Sequence, residues 1–234
     1  MLIRFSFLIL FIFNLGCDLP TENKLKSQIW EVSFKSVVSV LPTWPGYEKP
    51  GFGSPSGVAP AGTGFYFNFK KNHDLSEYIL TAFHVIKKAS KIEVEDYQGK
   101  IDIAQVVYKD EKTDIAILKT ITQKKPIEFA NTNLLIGDDI CVVGNSFGLG
   151  PSLTCGVISA LNRKKLGFNK IENFIQTDAA VNPGDSGAPL LDNKGKLIGM
   201  IDAIYTKKAD IDAGVNFAID KSLIKKVLNK IKID

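Results

Sequence analysis

Residues Phe174 to Leu191 read FIQTDAAVNPGDSGAPLL: a strand-like run from Phe174 to Thr177, turn-forming residues around Asn182-Pro183-Gly184, and an apolar run from Pro189. Between the turn and the second run lies Asp185-Ser186-Gly187. Gly184 and Gly187 let the backbone turn tightly about Ser186 and leave nothing bulky over its hydroxyl. Such a turn also aims successive backbone N–H groups at one point, which is what an oxyanion requires. Taken alone, the segment reads first as a hairpin turn whose serine bonds its own backbone.

The rest of the chain changes that reading. A serine nucleophile needs a general base, and histidine serves best near neutral pH. The chain has 2 histidines, His73 and His84. His73 lies in the polar turn Lys71-Asn-His-Asp74 and reads as a solvated loop residue, whereas His84 follows Tyr78-Ile79-Leu80-Thr81 and so stands where a strand ends. A buried structural histidine is the plainer alternative for His84. The third group is a carboxylate beside the imidazole. Asp114, in Lys112-Thr-Asp-Ile-Ala-Ile-Leu118, stands at the lip of an apolar strand, where an ordinary strand-initiating aspartate is the competing reading.

The chain order His84, Asp114, Ser186 is that of chymotrypsin-like enzymes and not the Ser-Asp-His order of α/β-hydrolases. Ala188 also stands where a Gly-x-Ser-x-Gly elbow would place its second glycine. With Leu80-Thr-Ala-Phe-His-Val85, Thr113-Asp-Ile-Ala116, Gly144-Asn-Ser-Phe-Gly148 and the block Gln176 to Pro189, the sequence resembles the trypsin-like proteases of the HtrA (Deg) type from about Ser36 to its end. It departs from them at Asp185, where the family usually has asparagine, and at Ala188, usually a second glycine.

The resemblance implies an all-β, chymotrypsin-like double β-barrel with a C-terminal helix. It implies an exported serine endopeptidase in which Ser186 is the nucleophile, His84 the general base and Asp114 its orienting acid. The backbone N–H groups of Gly184 and Ser186 would form the oxyanion hole. Ala180 would lie at the base of the pocket for the residue preceding the scissile bond. An alanine there offers no charge, so cleavage is expected after small or medium aliphatic residues. A catalytically silent peptide-binding or scaffold module of the cell envelope is the alternative, although such a module has no need of all three catalytic residue types.

Composition is consistent with a folded core, with 45% hydrophobic and 23% charged residues in 234. A formal charge of +4 is too mild to argue for nucleic-acid binding. The scattered 3 cysteines and 2 histidines show no metal-site spacing, and no cofactor is implied. Residues 1–17, MLIRFSFLILFIFNLGC, form a signal peptide, since the apolar run from Phe5 to Phe13 is too short to span a bilayer comfortably. Asn14-Leu-Gly-Cys17 resembles a lipoprotein cleavage site, with Cys17 lipidated and anchoring the chain to a membrane; simple signal cleavage is the alternative. The expected location is the cell envelope or periplasm, or secretion. Residues 18–35 read as a tether, with Ile29, Trp30 and Phe34 spaced for a short amphipathic helix; in HtrA-type proteins aromatic residues near the N-terminus help build a trimer.

The protease-like domain is expected over residues 36–234. Its first half should hold six strands: Ser36 to Leu41, Thr63 to Phe69, Glu77 to Thr81, Lys91 to Glu95, Ile101 to Tyr108 and Ile115 to Lys119. An exposed loop from Pro42 to Gly62 separates the first two. After a connection around Thr122 to Asn133, the second half should hold strands at Asp138 to Gly144, Leu153 to Leu161, Asn173 to Thr177, Pro189 to Leu191, Leu197 to Tyr205 and Val215 to Ile219. Asp220 to Ile231 reads as a helix, with Leu223, Ile224, Val227, Leu228 and Ile231 on one face. The residues beyond it are too few for a PDZ domain, so regulation through one is not expected. Cys141 and Cys155 fall in consecutive strands, where a disulfide or two buried thiols are both open readings.

Overall fold

A computed structural model describes residues 22–45, 49–51, 58–69, 74–204 and 214–231. Cys17 and His73 lie outside the described residues. In the first half, β1 (Val37–Thr43) is followed by the short β2 (Lys49–Gly51) and β3 (Val58–Pro60), then by β4 (Gly62–Tyr66), β5 (Ser76–Ala82), the helix α2 (Phe83–Ile86), β6 (Lys91–Glu95), β7 (Ile101–Ile103), β8 (Gln105–Asp110) and β9 (Ile115–Lys124). The sheet order is β7-β6-β1-β4-β5-β9-β8. Its two outermost strands, β7 and β8, are separated in sequence by Ala104 alone, so the sheet must curl until its edges meet. The Asp102 carboxylate on β7 accepts from the Thr122 N–H on β9 at 2.9 Å across that seam.

The expected single strand over 101–108 is therefore two, and the first half has a seven-stranded sheet in place of six. Ala104 still donates its N–H to Ile92 on β6 at 3.0 Å, after which the chain leaves that partner for β9. The expected loop over 42–62 also contains β2 and β3, paired in parallel.

The second half closes into a barrel of β10 (Asp139–Gly144), β11 (Ser152–Arg163), β12 (Phe174–Thr177), β15 (Asn216–Asp220), β14 (Leu197–Ile204) and β13 (Pro189–Asp192), in that spatial order. The architecture is a chymotrypsin-like double barrel. Phe65, Leu80 and Ile117, register partners across β4, β5 and β9, share one face of the first sheet, and Ile140, Ile158, Ile175 and Ile198 cluster in the second barrel, all essentially inaccessible to water. Successive side chains point to opposite faces, and the strand neighbours Tyr66, Ile79, Leu118, Phe174 and Leu197 are equally buried, so both faces of these strands are covered.

The connection between barrels is laced to both. Ile127 donates its N–H to the Tyr66 carbonyl of the first (2.8 Å), while Glu128 accepts from Leu197 (2.8 Å) and Ala130 donates to Leu197 (2.9 Å) of the second. The chain ends on α3 (Lys221–Leu228), where the Asp220 side chain caps the helix by accepting from the Ser222 N–H, and Leu223, Ile224 and Val227 are buried. The segment expected as a tether carries α1 (Glu22–Ser33), whose Ile29 is only 3% exposed and joins the core, so part of it is packed on the domain.

Cys141 and Cys155 stand directly opposite each other in the β10–β11 register and are joined as a disulfide.

Candidate active site

Asp114 shows how local chemistry builds the site. It precedes β9 with φ of +58°, a left-handed conformation that aspartate tolerates better than most residues. The turn before it is pinned by Asp110, which accepts from the Lys112 N–H and the Thr113 hydroxyl at 3.0 and 2.8 Å. From there Asp114 satisfies the start of α2. Its carbonyl accepts from the Phe83 N–H at 3.0 Å and its Oδ1 from the His84 N–H at 2.8 Å. These are orphan donors of a helix N-terminus.

The other carboxylate oxygen, Oδ2, lies 2.6 Å from His84 Nδ1. That contact keeps the imidazole proton on Nδ1 and leaves Nε2 as the basic nitrogen. The Asp114 side chain is 8% exposed and the His84 side chain 47%. Burial pushes the Asp114 carboxyl upward, but the hydrogen bond and charge of His84, together with a hydrogen bond from Asp202, outweigh it and hold Asp114 below the usual carboxylate range.

Ser186 comes from the other barrel. Its carbonyl accepts from the Thr63 N–H at 2.9 Å, and the Thr63 hydroxyl donates to the Gly184 carbonyl at 2.6 Å. Gly187, at φ +89°, presses so closely on β4 and β5 that a Cβ would collide with the Thr63 carbonyl and stand 2.6 Å from Thr81 Oγ1 and 2.9 Å from Ala82 N. Gly62 separates Val85 from Ser186: a Cβ there would meet Val85 Cγ2 at 2.6 Å and the Ser186 carbonyl at 2.9 Å. The Ser186 turn thus packs on β4 and on the end of β5, two residues before His84, with Gly62 between Ser186 and Val85.

The Gly144-Asn-Ser-Phe-Gly148 segment braces the same loop. Phe147 donates its N–H to the Pro183 carbonyl at 2.8 Å. Because carbonyl and N–H point oppositely across a trans peptide, this aims the Gly184 N–H away from Phe147. Among the described residues, neither Gly184 nor Ser186 donates its backbone N–H to another group of the protein. Ala180 is half-buried on the segment leading to Ser186, with its carbonyl accepting from the Thr154 hydroxyl at 3.0 Å.

Asp185 is buried and meets no cation among the described residues. Its Oδ2 accepts from the Ser146 hydroxyl (2.6 Å) and the Asn182 N–H (2.9 Å), and its Oδ1 has no hydrogen-bond partner. Burial therefore raises its carboxyl above the ordinary value despite those two bonds.

Four residues of this neighbourhood were not singled out from sequence: Thr63, Ser146, Asn169 and Asp202. Asp202 Oδ1 lies 3.9 Å from His84 Nδ1, and its Oδ2 accepts from Asn169 Nδ2 at 2.6 Å. His84, Asp114 and Asp202 offer three ligating atoms within 4.8 Å of one another. Those atoms are already committed to each other and to Asn169, a proton-sharing network more than an open coordination shell.

A glycine-flanked serine turn from one barrel and an acid-oriented imidazole from the other are the parts that serine peptidases combine. Residues 62–200 match the family model described as trypsin-like peptidase domain, and the chain belongs to that family. It is 42% identical over 159 residues to the probable periplasmic serine endoprotease DegP-like of Chlamydia trachomatis, covering 67% of this chain and 32% of that protein. It is 36% identical over 173 residues to the periplasmic pH-dependent serine endoprotease DegQ of Escherichia coli K12, covering 73% and 37% respectively. Among solved structures, the HtrA-type protease AlgW with tripeptide superposes with a TM-score of 0.76 at 32% identity, over 88% of this chain and 63% of that one. The chain thus spans about a third of the length of the curated relatives it matches.

Proposed function

We propose that this chain is an exported serine endopeptidase that hydrolyses peptide bonds in unfolded or exposed protein segments. The observation that carries the reading is the double grip of Asp114 on His84, at the ring nitrogen (2.6 Å) and at the backbone N–H (2.8 Å), beside the Ser186 turn. In this mechanism Ser186 Oγ attacks the scissile carbonyl carbon as His84 Nε2 takes its proton. The N–H groups of Gly184 and Ser186 receive the oxyanion. When the C–N bond breaks, His84 returns the proton to the leaving amine, and water then releases the acyl group by the same route. Asp114 fixes the tautomer and stabilises the imidazolium throughout.

Ala180 forms the base of an uncharged pocket, which favours small or medium aliphatic residues before the cleaved bond. Export is supported by the leader-like residues 1–17 and by relatives named as periplasmic proteases. Cys17 is the site of lipid attachment, and the envelope or periplasm the location. Assembly as a homotrimer through the N-terminal aromatic residues belongs to the same reading.

The test uses the full chain with a fluorophosphonate probe and unfolded casein. Ser186 labels and casein is cut, whereas Ser186→Ala does neither. Asp114→Asn retains the fold and loses roughly four orders of magnitude in turnover, as expected when the imidazole takes the wrong tautomer. A folded wild-type chain that binds peptides but neither labels nor cleaves, with oligomeric state varied, makes the scaffold reading the better one.

A further inference from the structure

Asp202 is the single acid in the apolar strand β14, LIGMIDAI, and its side chain is 4% exposed. It faces Asp114 from the turn before β9, His84 from α2 and the neutral amide of Asn169 from the β11–β12 loop. Among the described residues, His84 and Asp114 are the ionisable groups it meets. Two carboxyl groups sharing one buried site beside a single imidazole cannot both ionise without a large penalty, so one keeps a proton. Asp114 is the charged member, because its oxygens accept the His84 N–H and lie against Nδ1. In Asp202 the Asn169 amide occupies Oδ2, which leaves Oδ1, on the His84 side, to carry the proton.

We propose that Asp202 is a positioning residue: a neutral carboxylic acid whose Oδ1–H donates to the Asp114 carboxylate and holds it in register with His84. Burial, and then the adjoining Asp114 charge, drive the Asp202 carboxyl well above its ordinary value, in agreement with that assignment. The support behind it is firm. Glu172 accepts from the N–H groups of Leu166, Phe168 and Asn169 (2.7, 2.8 and 3.1 Å), and Phe168 packs on Phe174 and Phe217. Ile171 donates to the Lys112 carbonyl at 2.8 Å, so the loop that holds Asn169 is also tied to the turn that presents Asp114. Once Asp202 loses its proton at high pH, two adjacent carboxylates repel, and Asp114 loses both a donor and its placement.

The proposal rests on the protease reading, and its test separates the two. Full-length wild type, Asp202→Asn and Asp202→Ala are compared by fluorophosphonate labelling rate from pH 5 to 10 and by kcat and KM on a peptide substrate. Asp202→Asn keeps an N–H donor of the same shape, so it retains near-wild-type kcat at pH 7 and loses the alkaline limb of the pH profile. Asp202→Ala lowers kcat about 10- to 100-fold at little-changed KM, the effect of removing a hydrogen bond to a charged group. Equal losses in both variants with an unmoved pH profile, or no loss in either, overturn the proposal. Independently of activity, the carbon-13 carboxyl signal of Asp202, assigned by its absence in Asp202→Asn, holds its protonated position through pH 7. An ionised signal at pH 6 overturns the proposal whether or not the chain is a protease. An inert wild type with a protonated signal overturns the protease reading alone.

Discussion

The Thr63 hydroxyl donates to the Gly184 carbonyl at 2.6 Å and accepts the Asn145 N–H at 3.2 Å, joining three segments at one atom beneath the Ser186 turn. Thr63→Val keeps the shape of the side chain and strands a buried carbonyl and a buried N–H. Unfolding free energy falls by about 1–3 kcal/mol. Turnover falls at least ~10-fold, below the ceiling of about 100- to 1,000-fold for losing an oxyanion donor outright. Urea denaturation and kcat measured on the same preparation check both. A stability loss with unchanged kcat means that the Thr63 bonds hold the fold and do not set the Ser186 turn for catalysis.

Gly62→Ala inserts a methyl group between Val85 and the Ser186 carbonyl, where clearances of 2.6 and 2.9 Å leave no room for it. The Ser186 turn and α2 must separate, and a displacement of this order costs on the order of 100-fold in rate. Val85→Ala in the same chain clears one side of the clash and not the other. Partial recovery of probe labelling in the double variant is therefore expected. Full recovery, or none, contradicts the geometry.

Asp185 supplies a pH test of stability. Its folded carboxyl is raised, chiefly by burial, so any contribution it makes is intact below the unfolded carboxylate value and is lost as pH rises through the folded one. Near pH 7 the buried, half-satisfied group is thus a liability. Asp185→Asn removes the charge and is nearly isosteric with the protonated acid. It gains about 1–3 kcal/mol at pH 7.5, and the gain shrinks toward pH 4. Urea midpoints at the two pH values decide it. A gain independent of pH, or a loss at pH 7.5, runs against this account.

Cys141 and Cys155 are register partners on adjacent antiparallel strands, so we expect an oxidised pair in the exported protein. Alkylation of the unreduced, denatured chain should leave both thiols unmodified. Replacing both by serine removes a short-loop crosslink worth up to about 3 kcal/mol in the chain-entropy account. Complete alkylation without reductant contradicts the oxidised pair.

What could be read from the sequence follows a physical division. The second barrel was legible strand by strand, because apolar runs and turn residues mark each element locally. His84, Asp114 and Ser186 emerged as candidates from their chain order and from motifs resembling HtrA-type proteases, since strand-end position alone fitted plainer readings; the structure sets the His84 ring 2.6 Å from Asp114. The break at Ala104 was hidden, because the alternation runs through it and only the change of hydrogen-bond partner from β6 to β9 makes two strands of one. Thr63 acts on Gly184 across 121 positions, and Asn169 meets Asp202 across 33. Such pairs exist only once the barrels are docked. Asp202 did leave a trace, as a lone acid in LIGMIDAI, but a strand pattern does not say which buried partner holds it.

The laced connection between the barrels makes the molecule divisible. His84 and Asp114 precede the exposed stretch 131–133, and Ser186 and Asp202 follow it. A chain opened after Asn131 leaves the first piece still holding the Leu197 edge of the second through Glu128 and Ala130, and the Ser186 turn through Thr63. Two separately made fragments, each chemically inert, should then reassemble into a species that takes up the fluorophosphonate probe. The fold would serve as a split reporter, reading out whether its two halves have met.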